Sequence, residues 1–377
     1  MNIETETHTS EAPKKVTSFL SASQDKDPML YPGERPEQSY VTDGAMVYTL
    51  EVNDTEGLSF SMRGANGELE DLNDFLREHD APPLEDRIPV LGFGANMSPG
   101  SLAAKFAKVG REDTLCVPTA YTTLKDHDVV WSGGPGMNGN FIAVLYNGPE
   151  VKGTEVQVGV NFLTREQLLV MNATEMAYQL AWVDVSIEGH PARAYYYVGQ
   201  DQIYLKDTTP VAIESVPAKG RSITQSTTKS MLEGVIENKT VMSQVAEDFP
   251  AISHVETTDE YLAVVAQLKA EKRSLKLKKA MHTAIAEDNS ARQVEPDGFT
   301  NRMESWANPS TLPTLGDQEL GFFHHPIHRL PTQELGEWND TEARARLLRS
   351  ITSHLVRHSG GKLKKFCFID KTDHLQR

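Results

Sequence analysis

Residues 88–105 encode a strand that turns sharply into a capped helix, and they read IPVLGFGANMSPGSLAAK. The aliphatic residues at the start favour a strand, Gly92 and Gly94 permit backbone angles closed to other residues, and Ser98-Pro99 is typical of an N-cap followed by the first helical position. Unpaired N–H groups then collect at the helix start, where the helix dipole favours negative charge. The stretch predicts a binding site for a carboxylate or phosphate, although the same pattern also suits an ordinary strand-to-helix connection.

The stretch matches neither of the common nucleotide-binding motifs. GFGANM lacks the third glycine of a dinucleotide fingerprint, and no Gly-Lys-Ser/Thr follows it for a nucleoside triphosphate. The sequence therefore gives no separate support for a nucleotide ligand.

Composition limits the class of partner. The chain has 377 residues and a formal net charge of −16, so its field repels nucleic acid and anionic lipid. No apolar run follows the basic pair near residue 15, and no segment approaches about 18 uninterrupted apolar residues. Cys116 and Cys367 both lie in apolar runs, which is typical of reduced, buried thiols. We expect a cytoplasmic protein that binds neither nucleic acid nor a membrane.

The pattern of residue types divides the chain into four segments. Residues 1–38 are too polar to repay the entropy of ordering and predict a disordered arm. Residues 39–86 predict a small lead-in segment with one strand and one helix. Residues 87–217 carry most of the strand patterns and form the predicted main domain. Residues 218–377 predict a mostly helical extension that includes one long helix over residues 258–288.

Strand patterns dominate the main domain. They cover residues 114–117, 119–131, 140–146, 155–163, 182–187 and 192–199. A capping box at Thr164-Arg165-Glu166-Gln167 predicts the start of a short helix among them. Because few helices separate the strands, the predicted fold class is α+β, with a mixed or antiparallel barrel-like sheet and peripheral helices rather than a doubly wound parallel sheet.

An acidic residue, Glu175, lies between this helix and the next strand. Its neighbours Met171, Ala173 and Met176 are apolar, so the carboxylate is expected to be partly desolvated and suited to general acid–base work. A solvated loop carboxylate or a helix cap also explains a single acid at this position.

The order of these features resembles the γ-glutamylcyclotransferase-like family. Phe93-Gly94-Ala95-Asn96-Met97 is similar to the family's Tyr-Gly-Ser-Asn-Leu loop, and Met171-Asn172-Ala173-Thr174-Glu175 is similar to its Leu-Asp-x-x-Glu pattern. The resemblance covers residues 87–199. It implies a γ-glutamylcyclotransferase-like mixed β-barrel with peripheral helices, and the helical extension that follows is predicted from the residue pattern alone.

The resemblance also implies an activity. Such an enzyme cyclises a γ-glutamyl amine, amino acid or peptide to 5-oxoproline and releases the amine, with Glu175 as general acid/base and with neither metal nor other cofactor. The implied substrate-binding residues are Phe93, Gly94, Ala95, Asn96, Met97 and Tyr178. Tyr178 is three residues beyond Glu175, and it also suits an ordinary aromatic residue at the start of a strand.

Other classes of protein stay open. Phe93, Ala95, Asn172 and Met176 depart from the family pattern, so the alternative to an enzyme is a catalytically silent module of the same fold that binds a carboxylate. An interaction protein using the basic helix at 258–288 is a third class, for which a solvated helix face beside an apolar stripe is the simpler explanation.

Three histidines near the C-terminus resemble part of a metal site. His324, His325 and His328 lie close together in the sequence, as zinc ligands do. Pro326 breaks any helical register among them, and no acid or cysteine at a recognised spacing completes the set. The sequence therefore predicts no metal.

Overall fold

The computed structural model describes residues 12–20, 27–53, 57–64, 66–108, 110–136, 138–175, 178–199 and 203–291. The strands in these residues are β1 Lys14–Lys15, β2 Tyr40–Asp43, β3 Met46–Val52, β4 Phe60–Arg63, β5 Leu69–Asp71, β6 Ile88–Gly92, β7 Cys116–Lys125, β8 Asp128–Pro135, β9 Phe141–Tyr146, β10 Glu155–Leu163, β11 Tyr178–Ile187, β12 His190–Gly199, β13 Leu205–Lys206, β14 Thr209–Pro210, β15 Ala212–Ile213, β16 Ala218–Lys219 and β17 Gln225–Ser226. The α-helices are α1 Leu72–Glu78, α2 Pro99–Lys108, α3 Arg165–Thr174, α4 Thr228–Glu237, α5 Lys239–Asp248, α6 Thr258–Ala270 and α7 Ser274–Ala291.

An eleven-stranded mixed sheet organises the fold. Its order is β11-β12-β6-β10-β7-β2-β3-β4-β5, with β1 paired to β3 and β16 paired to β10. Strand β6 pairs in parallel with β12 and antiparallel with β10. It is therefore an interior strand of the sheet, and its C-terminal end leads directly into residues 93–97. The prediction of a mixed α+β fold is confirmed. No ladder among the described strands joins β11 to β5, so the described sheet is open and not closed into a barrel.

Several predicted elements have different boundaries in the structure. The strand predicted over 155–163 is confirmed as β10, but the single strand predicted over 119–131 is two strands, β7 and β8. Asp126 separates them with a φ of 56°, and its carboxylate accepts a hydrogen bond from the Gly153 N–H at 2.7 Å. The long helix predicted over 258–288 is likewise two helices, α6 and α7, because Lys272 has a φ of 59°. A left-handed residue ends a helix or strand, and the apolar pattern alone does not reveal it.

The helices α4–α7 share a hydrophobic core with the sheet. Met231 of α4 and Met281 of α7 are buried in the same apolar cluster as Leu91 of β6 and Trp131 of β8, a strand of a second, four-stranded sheet. None of the helices in the described residues is long and apolar enough to cross a membrane. The helix predicted at 340–358 and the three histidines of 324–328 lie outside the described residues.

Part of the segment predicted to be disordered packs against the sheet. Strand β1 pairs with β3. The Tyr31 hydroxyl accepts a hydrogen bond from the Ala143 N–H of β9 at 2.6 Å, and the Tyr31 carbonyl accepts one from the Thr228 hydroxyl of α4 at 2.7 Å. These contacts place Tyr31 between helix α4 and β9, which belongs to the separate four-stranded sheet of order β17-β15-β8-β9.

Candidate active site

The loop of residues 93–97 leads from β6 into α2. It contains a single 3₁₀ turn, Ala95–Met97, and α2 begins at Pro99. The Ser98 hydroxyl accepts a hydrogen bond from the Ser101 N–H at 3.3 Å, which satisfies one free donor of the first helical turn. The predicted sequence of strand, turn, N-cap and helix is confirmed.

The sequence predicts that Gly92 and Gly94 are needed for unusual backbone angles, but the structure shows close packing at both positions. Neither Gly92 nor Gly94 has a positive φ. A Cβ on Gly94 would lie 2.7 Å from the Tyr31 hydroxyl oxygen and 2.8 Å from the Cβ of Ala143. A Cβ on Gly92 would lie 3.1 Å from the Nδ2 atom of Asn161. Close packing rather than a left-handed backbone therefore explains these glycines.

Buried side chains bind the loop of residues 93–97 to the sheet through hydrogen bonds. The Asn161 Nδ2 group donates to the Asn96 carbonyl at 3.0 Å, and the Thr119 hydroxyl donates to Asn161 Oδ1 at 2.8 Å. The Tyr40 hydroxyl donates to the Met97 carbonyl at 2.8 Å. Because Asn161, Thr119 and Tyr40 are all fully buried, these bonds fix the loop against the sheet.

Burial separates the predicted substrate-binding residues of the loop into two groups. Phe93 and Met97 are buried, with 7% and 1% exposure, and their side chains pack in apolar clusters. Gly94, Ala95 and Asn96 between them are partly exposed. Only these three middle residues therefore offer atoms to a ligand at the surface.

Glu175 directly follows α3, whose start is set by the predicted capping box. The Gln167 N–H donates to the Thr164 hydroxyl at 3.2 Å, and the Thr164 N–H donates to Gln167 Oε1 at 2.9 Å. At the other end of the helix, Glu175 Oε1 accepts a hydrogen bond from the Asn96 Nδ2 group at 3.2 Å. The structure thus brings together the acid and the loop that the sequence singled out, although 79 residues separate them.

Lys105 completes this cluster, and sequence reasoning missed it. Its Nζ atom lies 2.5 Å from Glu175 Oε1 and 2.5 Å from Asn96 Oδ1. The side chains of Lys105 and Glu175 are 18% and 12% exposed. A signal was present, because Lys105 follows the buried residues Ser101 and Leu102 by four and three positions and so shares the inward face of α2. Among the described residues, Glu175 Oε2 accepts no hydrogen bond.

Two tyrosines lie within the electrostatic reach of Glu175. Burial raises the pKa of Tyr31 well above its usual range, and the negative charge of Glu175 adds to the rise, while hydrogen bonds from the Ala143 and Ala95 N–H groups oppose it. Burial also raises the pKa of Tyr197, again with a contribution from Glu175. Both phenols are therefore neutral at physiological pH.

The N–H groups of Gly94 and Asn96 have no hydrogen-bond acceptor within the described residues. That is the state required of donors that bind an anion. Tyr178 begins β11 opposite Gly199, but its side chain lies outside what the structure describes, so its role stays a prediction. No group of three histidine, cysteine or acidic side chains suited to a metal ion occurs in the described part of the chain.

Comparison with protein-family models, curated proteins and solved structures finds no match for this chain. The class of the protein therefore follows from its own geometry: a mixed α+β fold with a large mixed sheet and C-terminal helices. Its candidate site joins a carboxylate, an ammonium group and a side-chain amide beside two open backbone donors. Such a set offers hydrogen-bonding groups of both charges and of neutral character at one place.

Proposed function

We propose that the chain is a γ-glutamylcyclotransferase-like enzyme, with the fold of that family, which cyclises a γ-glutamyl amine, amino acid or peptide to 5-oxoproline. One observation carries the proposal: the 3.2 Å hydrogen bond between Asn96 of the loop and Glu175 beyond α3, both partly exposed. The two sequence patterns that resemble the family, distant along the chain, thereby form one site. The large mixed sheet supports the proposed fold family, and the barrel of that family stays part of the proposal.

Glu175 acts in this proposal as general base and then as general acid. The α-ammonium group of the substrate gives a proton to the carboxylate, and the free amine attacks the γ-carbonyl carbon. A C–N bond forms within the ring, and the carbonyl electrons move to the oxygen. As the intermediate collapses, the bond to the leaving nitrogen breaks and that nitrogen takes the first proton from Glu175. The ring nitrogen then gives its second proton to the Glu175 carboxylate, which passes it to the released amine. The products are 5-oxoproline and the protonated amine, so protons and charges balance.

The loop stabilises the oxyanion in this mechanism. The N–H groups of Gly94 and Asn96 are open donors on a loop held by buried hydrogen bonds, so they need little reorganisation when charge develops. The side chains of Phe93 and Met97 support the loop from the core.

The experiment compares the wild-type protein with Glu175→Gln. Both are incubated with a panel of γ-glutamyl amino acids, peptides and amines, and 5-oxoproline is measured by mass spectrometry. We expect product from the wild type and a loss of at least about 10²-fold in the variant, since one general base contributes about 10² to 10⁴ in rate. Equal turnover by both proteins would remove Glu175 from the mechanism.

A catalytically silent carboxylate-binding module is the second candidate, and the ion pair of Lys105 with Glu175 favours it. Glu175 Oε1 already accepts hydrogen bonds from an ammonium group and an amide, so an incoming α-ammonium group meets a like charge beside the carboxylate that must deprotonate it. Absence of 5-oxoproline from every compound, together with measurable binding of a γ-glutamyl compound by calorimetry, would support the module.

The proposal includes a cytoplasmic location and a small-molecule ligand, with neither nucleic acid nor a membrane as partner. The chain contains only two cysteines, in line with a reducing compartment, and Cys116 is buried. The net charge of −16 supports the exclusion of polyanionic partners.

A further inference from the structure

Lys105 is a charged residue that the proposed reaction has not yet used. Its ammonium group is largely buried, on the inward face of the helix that follows the loop. Burying an ammonium group is costly unless it is paired, and Lys105 is paired with two groups of the candidate site. Its position therefore concerns the ligand-binding atoms and not only the stability of α2.

The ammonium group of Lys105 contacts the Glu175 carboxylate in the same way that the α-ammonium group of a γ-glutamyl substrate would. A γ-glutamyl compound carries a primary ammonium group on its α-carbon, and the Lys105 Nζ atom is the same chemical group. Nζ lies 2.5 Å from Glu175 Oε1, so an incoming ammonium group meets a like charge already at the carboxylate. The substrate must displace Lys105 from Glu175, at least in part, to make the same contact.

The displaced lysine has a partner close by on the substrate. Standard bond lengths place the α-carboxylate oxygens within about 3 Å of the α-nitrogen of an amino acid. The lysine side chain is a flexible four-carbon stem that carries three rotatable donors. A small movement therefore transfers its ammonium group from Glu175 to the carboxylate beside the incoming ammonium group.

We propose that Lys105 recognises the free α-carboxylate of the ligand by exchanging its contact with Glu175 for that carboxylate. This inference rests on the proposed function for the identity of the ligand. It makes Lys105 a specificity-determining residue and limits the ligands to γ-glutamyl compounds whose α-ammonium and α-carboxylate groups are both free. Compounds with an amidated α-carboxylate lack the acceptor that Lys105 needs, and they leave it paired with Glu175.

The test uses two compounds, L-glutamate γ-methylamide and its α-carboxamide analogue, with the wild-type protein, Lys105→Met and Lys105→Arg. The cyclised product of each compound is followed by mass spectrometry, which gives kcat and KM. For the carboxylate compound, we expect Lys105→Met to lower kcat/KM about 10- to 100-fold, mainly through KM, as for loss of one charge-assisted hydrogen bond. For the carboxamide compound, which competes with Lys105 for Glu175 and gains no contact from it, we expect no loss in Lys105→Met. For the carboxylate compound, Lys105→Arg should keep part of the activity that Lys105→Met loses.

Lys125→Met is the matched control. This lysine side chain is 81% exposed, and its nearest carboxylate oxygen, on Glu155, is 3.9 Å away. Thermal unfolding of all variants shows whether the fold is kept. Equal losses for both compounds in Lys105→Met would assign the lysine a structural role and overturn the inference, as would no loss for either.

Calorimetric titration with the same two compounds separates this inference from the proposed reaction. Weaker binding of the carboxylate compound to Lys105→Met, without any product from the wild type, would support Lys105 and refute the enzyme. If the wild type forms product and Lys105→Met keeps the wild-type preference for the carboxylate compound over the carboxamide compound, the enzyme is supported and the role of Lys105 is refuted. If the wild type neither binds nor converts either compound, both proposals are wrong.

Discussion

Replacing Gly94 by alanine tests the close packing at the centre of the candidate site. The added methyl carbon would lie 2.7 Å from the Tyr31 hydroxyl oxygen and 2.8 Å from the Ala143 Cβ atom. Carbon atoms in contact prefer separations of about 3.5–4.0 Å. Tyr31 or the loop must therefore move by close to an ångström to accommodate the methyl group.

The cost follows from two effects. Overpacking a well-filled site costs about 1–3 kcal/mol. Movement of Tyr31 also weakens the 2.6 Å hydrogen bond from the Ala143 N–H, and a buried donor left without its acceptor costs about 1–3 kcal/mol. With partial relaxation, we expect Gly94→Ala to lower the free energy of unfolding by about 2–4 kcal/mol. An unfolding entropy of about 2.1 cal/mol/K per residue then predicts a Tm lower by about 3–5 °C for a chain of this size.

Urea denaturation and thermal scans measure this loss, with Gly57→Ala as the control. A Cβ on Gly57 meets no atom within 4 Å, so the control should change stability by less than about 0.5 kcal/mol. The double variant Gly94→Ala/Tyr31→Phe lacks the hydroxyl oxygen that the methyl group meets, and its loss should be smaller than the sum of the single losses. If Gly94→Ala unfolds at the same urea concentration as Gly57→Ala, the close approach of Tyr31 to the loop is refuted.

Two other predictions concern buried ionisable groups. Asp128→Asn leaves the Arg221 guanidinium, 6% exposed and bonded to Asp128 at 2.7 Å, without its carboxylate, so we expect a loss of about 3–5 kcal/mol in urea denaturation. Asp184→Asn breaks an ion pair in which Asp184 is 69% exposed, and it should cost at most about 1 kcal/mol; equal losses would contradict the role of burial. Burial raises the pKa of Cys116 to about 11, so in a Cys367→Ser background the native protein at pH 8 should react with a disulfide reagent at least about 100-fold more slowly than the urea-unfolded protein. Similar rates for the native and unfolded proteins would show that the thiol is exposed or ionised.

The local elements near the site could be predicted because each has a signal within a few residues. Ser98-Pro99 encodes the start of α2, and Thr164-Arg165-Glu166-Gln167 encodes the start of α3 through side-chain hydrogen bonds to the next turn. The strand β10 is bounded by turns and was predicted with its observed ends. Breaks at Asp126 and Lys272 were missed, since a non-glycine residue with positive φ carries no strong signal in the sequence.

The partners within the site could be predicted only in part. Glu175 and the loop around Asn96 were singled out by their patterns, and the structure places them in hydrogen-bond contact. Lys105 was missed because an apolar helix face with one lysine is usual on a protein surface. Tyr31 was missed because it lies in a polar segment whose composition predicts disorder, and only its contacts with distant residues order it.

The contacts of Tyr31 also determine when the site forms during folding. Its hydroxyl meets the loop and β9, and its carbonyl accepts a hydrogen bond from Thr228, which is 197 residues further along the chain. Contacts of such sequence separation form late, because the entropy of closing a long loop must be overcome first. On the ribosome, the sheet strands up to β12 emerge before Thr228 does. We therefore expect Tyr31 to be held firmly against the loop of residues 93–97 only after α4 has been synthesised and docked.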